Sequence, residues 1–326
     1  MSLKRKRIIE LDIARAILIV LVVIGHYNNS IVHTIIYWFH MPAFFFLTGY
    51  TIEKTKGKVE LKHILYKQYI PFFFYAIVIV CIFQRNNLFL GLLKIIWGGR
   101  LLPGVFWFTN CYIIATWLFQ EILGKVHDDR KVFSITSGLF LLGIIESNIV
   151  RHYEILKYML LPWSFDIAFI AIEYVAIGYY SKHIIITFLT EKSRKVDVVA
   201  VCALLVCAVL VFFEEKQERH YAFDMKQLEY TNLILSLCVP IFFTIIILRL
   251  AHIVSYSQML KKLFSYIGKN TLPIMYLHLP LLEELQKYKR LSLLSFLIIG
   301  ILVPLVVNYC IKMFQTIIKR IRGIVK

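Results

Sequence analysis

The chain has 326 residues, of which 59% are hydrophobic and 17% are charged, and its 37 Lys and Arg against 20 Asp and Glu give a formal net charge of +17. An average soluble domain is about 45–50% apolar and about 25% charged, so this composition excludes an ordinary soluble protein and predicts a polytopic membrane protein. The basic residues are scattered between apolar runs and form no patch or basic helix, so nucleic acid is not expected as a partner.

Apolar runs of membrane-spanning length follow one another along the chain, separated by short polar segments. They predict an all-α bundle of ten transmembrane helices embedded in a lipid bilayer, near residues 11–31, 35–52, 69–85, 105–123, 132–149, 164–181, 197–213, 231–252, 271–285 and 292–314. The run 88–97 is too short to span and is predicted to lie at the membrane interface or to re-enter. The longest polar loop, 214–230, is too short to fold alone. Residues 1–326 are therefore expected to form a single transmembrane domain without an appended soluble domain.

The distribution of Lys and Arg among the loops predicts the orientation. If the N-terminus is cytoplasmic, the cytoplasmic loops carry more than twice as many Lys and Arg as the outer loops. Both termini are therefore predicted to be cytoplasmic.

The six cysteines lie within or at the edge of apolar runs and form neither a Cys-x-x-Cys pair nor a Cys/His ligand spacing. Neither a disulfide framework nor a bound metal is therefore expected.

The first predicted helix carries ionisable side chains, Asp12, Arg15 and His26, inside an apolar run. Arg15 and His26 are eleven residues apart, which is three helical turns plus about 20°, and Asp12 lies one turn before Arg15. The three residues therefore share one stripe of the helix. A charged side chain at mid-bilayer costs about 2.5–3.5 kcal/mol even on the lenient insertion scale, so this stripe is expected to face protein or water.

His40 lies on the second predicted helix, which the short connection Val32–Thr34 makes an antiparallel neighbour of the first. Counting back from that connection, His40 reaches a depth similar to that of His26, about 16 Å deeper than Arg15. Two imidazoles can thus face one cavity, and a histidine can act there as a general base or a nucleophile near neutral pH. A structural role for His40, hydrogen-bonded to a neighbouring helix, is the alternative of equal weight.

These first segments resemble the acyltransferase-3 family of integral-membrane acyltransferases. In "LDIARAILIVLVVIGH" (Leu11–His26), Arg15 and His26 match the Arg-x10-His pair of the family's first helix. In "FHMPAFFFLTGY" (Phe39–Tyr50), Thr48 stands where the family's Phe-rich segment usually has Ser before Gly-Tyr, and it keeps the hydroxyl.

The resemblance continues through most of the chain. "KQYIP" (Lys67–Pro71) occupies the place of a basic residue and a proline entering the third helix, and Trp107-Phe108 matches the opening of the fourth, although Thr109 replaces the common Leu. "LPWSFDIAFIAIEYVAIGYY" (Leu161–Tyr180) and "IGKNTLPIMYLHLP" (Ile267–Pro280) resemble the branch that includes fucose and capsular polysaccharide O-acetylases.

The resemblance implies a membrane O-acyltransferase. Such an enzyme moves an acyl group, usually acetyl, from cytoplasmic acyl-CoA to a sugar hydroxyl of a cell-surface or capsular polysaccharide or its lipid-linked precursor. Acetyl-CoA is then the expected acyl donor, a glycan the expected acceptor, and the bacterial cytoplasmic (inner) membrane the expected location of this multi-pass chain.

The same resemblance implies roles for the ionisable residues. His26, Asp12 and His40 are the expected catalytic residues, with Asp12 holding Arg15 in place. Arg15, which can grip a phosphate through two hydrogen bonds, and Lys67 are the expected contacts of the CoA phosphates. The lysine-rich loop Lys54–Lys62 is better explained by the positive-inside bias than by ligand binding.

His26 has two possible chemical roles. It either takes the proton of the acceptor hydroxyl, which is the favoured role because it needs only a histidine and a positioned hydroxyl, or it carries the acyl group itself as an acyl-histidine. The second role would pass an acyl group across the bilayer while CoA stays inside.

Trp107, Asp166 and His278 complete the expected substrate-binding residues. For Asp166 the equal alternative is capping of its helix, and for His278 it is a contact between helices. The segment "HYAFD" (His220–Asp224) imitates the His-x3-Asp of soluble acyltransferases, but it lacks the following glycine and falls in an outer loop. We interpret it as a chance match.

A transporter or flippase for a glycan or small anion is the alternative function, since it too needs His, Arg and Asp in the membrane. Transporters often show internal repeats and matching broken helices, and neither is visible in this sequence. A non-catalytic scaffold is disfavoured because it gives no reason to keep the stripe of Asp12, Arg15 and His26.

Overall fold

The computed structural model describes residues 7–27, 31–53, 61–83, 87–98, 101, 104–153, 161–216 and 221–324, and it leaves the side chains of 61–65, 67, 83 and 319–324 undescribed. The described chain is almost entirely helical. Its helices are α1 (Ile9–Gly25), α2 (Ile31–Tyr37), α3 (His40–Thr51), α4 (Leu61–Phe83), α5 (Leu88–Trp97), α6 (Phe106–Lys125), α7 (Asp129–His152), α8 (Phe165–Tyr180), α9 (Lys182–Thr190), α10 (Arg194–Glu215), α11 (Leu233–Val254), α12 (Gln258–Lys269), α13 (Thr271–Gln286) and α14 (Leu293–Ile324). A short hairpin of β1 (Phe223–Asp224) and β2 (Glu229–Tyr230) lies between α10 and α11.

The all-α prediction is confirmed, and each predicted helix has a counterpart. Five described segments are long and apolar enough to cross a membrane: Ile31–Thr51, Asp129–His152, Arg194–Glu215, Leu233–Val254 and Leu293–Ile318. The pair Pro162–Tyr180 and Lys182–Thr190, bent by 68°, makes a sixth if it is taken as one span. The total of ten spans and the cytoplasmic position of both termini stay predictions.

The second predicted helix, 35–52, is broken in the structure, and its predicted connection Val32–Thr34 was wrong. Those residues lie inside α2, and the chain turns at Trp38 and Phe39 before α3 begins. Pro42 explains the break, because in a continuous helix its ring would clash with the carbonyl of Trp38 four residues earlier, whereas a proline is tolerated in a first turn. The break sets His40 at the start of α3, beside the end of α1.

Helix α1 is the central helix of the bundle. It packs against α3, α11, α12, α13 and α14, and more than half of its residues are buried. The apolar side chains of α10 and α14 face outward instead, as Val201, Leu205, Leu302 and Val306 do. An apolar outer surface around a buried helix that carries charge is the arrangement expected in a bilayer.

Glycines allow the closest helix contacts. A Cβ at Gly49 of α3 would meet the Val175 carbonyl of α8, and a Cβ at Gly178 of α8 would meet the Phe46 carbonyl of α3. Small residues permit such backbone approach in membrane bundles. In the same way Gly268 of α12 lies against the Asp12 carbonyl, which holds the end of α12 on the charged end of α1.

The hairpin is held firmly against α7. Phe223, Met225, Leu228 and Tyr230 are buried, and Ser147 Oγ of α7 donates a 2.6 Å hydrogen bond to the Leu228 carbonyl. Residues 221–230 of the loop that the sequence analysis considered too short to fold alone therefore form a fixed wall at the far end of α1.

Candidate active site

A basic cavity of about 430 Å³ lies at the N-terminal end of α1. Arg7, Arg15 and Lys269 supply its positive charge, and Gln68, Thr48, Thr109 and Thr271 add polar groups. Its remaining lining is largely apolar: Ile19, Phe44, Phe108, Tyr112, Leu272 and Met275.

Asp12 holds the two arginines of this cavity. Arg7 donates to both carboxylate oxygens of Asp12, at 2.7 and 3.0 Å, and Arg15 Nη1 lies 3.8 Å from Asp12 Oδ1. The bond to Asp12 raises the pKa of Arg7. Asp12 is thus placed as predicted for holding Arg15, but it sits at the opposite end of α1 from His26. Any part it has in the chemistry acts through the arginines.

One wall of the basic cavity is formed by the end of α12, with Gly268 and Lys269, and by the N-terminus of α13, with Thr271 and Leu272. A helix N-terminus carries unpaired backbone N–H groups and a partial positive charge, and it favours phosphate. The start of α13 therefore adds to the positive potential of Arg7, Arg15 and Lys269, whereas the carbonyl end of α12 in the same wall opposes it. Lys67 lies on α4, but its side chain and the loop 54–60 are not among the parts of the chain that the structure describes.

A second, small cavity of about 30 Å³ lies at the other end of α1, and we call it the histidine cavity. His26, Tyr37, His40 and Trp107 line it from the helices, together with Met41, Gly104 and Val105. Asp224, Met225 and Lys226 line it from the hairpin. His26 and His40 thus share a cavity, as predicted, and Trp107 joins them there. The volume holds about one water molecule.

The hydrogen bonds of the histidines fix which ring nitrogen carries the proton. His26 Nδ1 lies 2.7 Å from the Val22 carbonyl, and His40 Nδ1 lies 2.7 Å from the Ile36 carbonyl. Because a carbonyl oxygen only accepts, Nδ1 is the donor in both rings, and Nε2 of the neutral ring is left unprotonated. Both rings are therefore set up to accept a proton at Nε2.

The two cavities lie along the same helices. Arg15 and Ile19 of α1 line the basic cavity and His26 follows in the histidine cavity. On α3 and α6 the order is reversed, so that each helix contributes to both cavities: Met41 then Phe44 on α3, and Trp107 then Thr109 on α6. The separation along α1, eleven residues from Arg15 to His26, is about 16 Å.

His278 lies behind His26. It is fully buried, its ring centroid is 5.2 Å from that of His26, and it does not line the histidine cavity. Asp166 lies farther away, in the first turn of α8, where its Oδ1 accepts a 2.8 Å hydrogen bond from the Ile167 N–H. Asp166 lines neither cavity, and the two alternatives for it stay predictions.

Sequence reasoning missed several residues of these cavities: Arg7, Tyr37, Asp224, Lys226 and Lys269. Asp224 belongs to the segment that was interpreted as a chance match, and it lines the histidine cavity. His220 is not among the described residues, so the structure does not test the motif. Asp224 Oδ1 accepts the N–H groups of Lys226 and Gln227 at 2.8 and 3.2 Å, and burial raises the pKa of its carboxyl.

Residues 8–313 match the sequence model of the acyltransferase-3 family, which is described as an acyltransferase domain. The match covers nearly the whole chain, from the residue before α1 to a point within α14. No curated protein and no solved structure matches the chain.

Proposed function

The chain belongs to the acyltransferase-3 family and is a multi-pass membrane acyltransferase, and we propose that it is an O-acetyltransferase of a cell-surface or capsular polysaccharide. Acetyl-CoA on the cytoplasmic side is the proposed acyl donor. The proposed acceptor is a sugar hydroxyl of the polysaccharide or of its lipid-linked precursor. The proposed location is the bacterial cytoplasmic membrane.

The single observation that carries the proposal is the pair of cavities along α1. Arg7, Arg15, Lys269 and the start of α13 offer a polyphosphate the charge and the N–H donors that it needs. Positive-inside bias predicts that this end of α1 faces the cytoplasm, where acyl-CoA is available. The apolar deep end of the basic cavity, with Ile19, Phe44 and Met275, suits a thin pantetheine arm that points toward the histidine cavity.

His26 is proposed as the general base, with the acyl-histidine route kept as the alternative. Its Nε2 carries no proton in the neutral ring, because Nδ1 donates to the Val22 carbonyl, so Nε2 is the nitrogen that can take a proton. A positioned base contributes about 10²–10⁴-fold to a rate. His40 Nε2, in the same cavity, is proposed to assist at the acceptor side.

Trp107 and Asp224 are proposed to meet the acceptor. An aromatic face packs on the apolar face of a sugar ring, and a carboxylate accepts hydrogen bonds from sugar hydroxyls. Because the histidine cavity has only about 30 Å³, a sugar ring requires it to widen. The hairpin is firmly packed, so the widening is expected at side chains that line the cavity rather than by displacement of the strands.

Mass spectrometry of the surface glycan tests this function. Cells that express His26→Ala should lose acetylation of the glycan while the variant remains inserted in the membrane. His183→Ala, which changes an exposed histidine on α9, is the matched control and should leave acetylation intact. Normal acetylation with His26→Ala would contradict the assigned role of His26.

An assay on purified protein separates the acyltransferase from the transporter alternative. The protein in detergent should move labelled acetyl from acetyl-CoA to de-O-acetylated glycan, which a transporter does not do. Arg15→Lys should mainly raise the KM for acetyl-CoA, because a point charge replaces a two-pronged donor.

A further inference from the structure

Tyr37 lies between the two histidines of the histidine cavity. Its hydroxyl is 3.1 Å from His26 Nε2, and its ring centroid is 4.9 Å from that of His40. The other face of its ring stacks on His33 at 4.0 Å. Tyr37 is the last residue of α2, immediately before the break that separates α2 from α3.

The direction of the Tyr37–His26 hydrogen bond follows from the rest of the network. His26 Nδ1 donates to the Val22 carbonyl, so the neutral ring has no proton on Nε2. The Tyr37 hydroxyl must therefore donate to His26 Nε2. The nitrogen that would take a proton in the reaction already accepts one hydrogen bond, and the donor lines the cavity where the acceptor is expected.

An acceptor hydroxyl has two ways to deliver its proton in this arrangement. It can displace Tyr37 and bond to His26 Nε2 directly, or it can donate to the lone pairs of Tyr37 Oη, which remain available when the Tyr37 proton points to His26. The second way needs no movement of the stacked Tyr37 ring. It also uses the hydroxyl that faces the cavity.

We propose that Tyr37 is a catalytic residue that relays the proton of the acceptor hydroxyl to His26, an inference that rests on the proposed acyl transfer. The acceptor proton moves to Tyr37 Oη while the Tyr37 proton moves to His26 Nε2. The acceptor oxygen bonds to the thioester carbonyl carbon and the carbon–sulfur bond breaks. His26 Nε2 then gives its added proton to the departing thiolate. Tyr37 and His26 return to their starting states, and the products are an ester and free CoA.

Tyr37→Phe separates the two ways because they predict opposite results. Phe keeps the ring contacts with His33 and His40 and removes only the hydroxyl. In the relay, the rate constant kcat for transfer falls by about 10²–10⁴-fold, the range of a lost acid–base group, with the KM for acetyl-CoA unchanged. If the acceptor reaches His26 directly, the variant frees Nε2 and kcat stays the same or rises, which would overturn the proposal.

The measurement uses the full chain in detergent with labelled acetyl-CoA and surface polysaccharide from cells that lack the protein. Tyr27→Phe is the matched control, because Tyr27 is near the same end of α1 but its hydroxyl bonds to the Leu291 carbonyl. It should transfer acetyl at the wild-type rate. Absence of transfer by the wild-type protein would reject the proposed function, whereas active wild type and equally active Tyr37→Phe would reject the relay alone.

A second variant decides the matter if Tyr37→Phe does not fold. Fluorinated tyrosine at position 37 keeps the ring and the hydroxyl and makes the hydroxyl more acidic. If the proton moves through Tyr37, kcat and its pH profile change with the number of ring fluorines. If kcat and its pH profile equalled those of the wild type across the series, the proposal would be overturned, because fluorination would not change the rate if Tyr37 served only for packing.

Discussion

The imidazole of His278 meets that of His26 edge to face, with the ring centroids 5.2 Å apart. His278 Nδ1 lies 2.7 Å from the Ile274 carbonyl, and its Nε2 has no hydrogen-bond partner among the described residues. The two rings therefore touch without exchanging a hydrogen bond. Contact of this kind fixes the orientation of His26, so we interpret His278 as a positioning residue.

Substitution of His278 should slow acyl transfer without weakening acyl-CoA binding. His278→Ala removes the ring that supports His26, and a misplaced base costs up to about 100-fold in rate. His278→Phe keeps an aromatic ring against His26 but removes the unpaired Nε2 together with the Nδ1 donor to the Ile274 carbonyl, and it should retain most activity. Steady-state kinetics of both variants check this. If His278→Phe were as inactive as His26→Ala, the nitrogen of His278 would take part in the chemistry itself.

Lys269→Gln should weaken binding of CoA, because Lys269 is one of the cations of the basic cavity. Because the Lys269 side chain is exposed, we expect a modest loss of CoA affinity, with Kd rising up to about fivefold. Exposed charge pairs contribute about 0.2–1 kcal/mol, which corresponds to this range. The affinity should also depend less on salt than that of the wild type. Calorimetric titration with CoA measures both.

Lys261→Gln is the control on the same helix. Lys261 pairs with Glu10 at 3.6 Å and does not line the basic cavity. Lys261→Gln removes the same net charge as Lys269→Gln. If CoA binding depended only on the net charge, both variants would lose the same amount of CoA affinity. Equal loss would argue against a specific phosphate site at Lys269.

Much of the helical architecture could be predicted from the sequence because apolar runs of spanning length dominate it. The errors have local causes. The proline at position 42 breaks a segment whose hydrophobic pattern predicts one helix. Helix α12 is polar and lacks the apolar length of a membrane-spanning segment, so the hydrophobic pattern does not reveal it. The hairpin 223–230 consists of two-residue strands, which no alternation pattern of useful length can indicate.

The site was predictable where charge inside an apolar run reveals it. Asp12, Arg15 and His26 are conspicuous for that reason. His40 shares the cavity of His26, although the connection Val32–Thr34 from which its depth was predicted lies inside α2. Tyr37 and Asp224 were missed because a tyrosine at a helix end and an aspartate in a loop are ordinary in sequence. Only the tertiary structure, which brings α2 and the hairpin to the end of α1, sets them beside His26.

Gly49→Ala should destabilise the bundle, because the added Cβ would strike the Val175 carbonyl of α8. A backbone carbonyl cannot move aside as the end of a flexible side chain can. We therefore expect the free energy of unfolding to fall by about 1–3 kcal/mol, which is typical of overpacking. Gly138→Ala on α7 is the control, since nothing lies within 4 Å of its Cβ. It should gain about 0.5–1 kcal/mol from helix propensity. Thermal unfolding in detergent compares them, and equal midpoints would contradict the tight contact between α3 and α8.

Asp224→Asn should lower transfer to the glycan while leaving the hairpin folded. The side-chain oxygen that accepts the N–H groups of Lys226 and Gln227 is present in Asn as well. The substitution therefore removes the charge that faces the histidine cavity and keeps the turn. If Asp224 accepts hydrogen bonds from the sugar, the KM for the glycan rises and the KM for acetyl-CoA does not change.

Asp224→Ala separates the turn from the charge. It removes the acceptor of both backbone hydrogen bonds as well as the charge, so it should lower the midpoint of thermal unfolding, which Asp224→Asn should not. If both variants transfer acetyl to the glycan with wild-type kinetics, Asp224 is only a turn residue, and recognition of the acceptor must come from Trp107 and from the polar groups of α2 and α3. A defect confined to Asp224→Ala would indicate that the hairpin matters through its fold alone, because the turn is the property that Asn preserves.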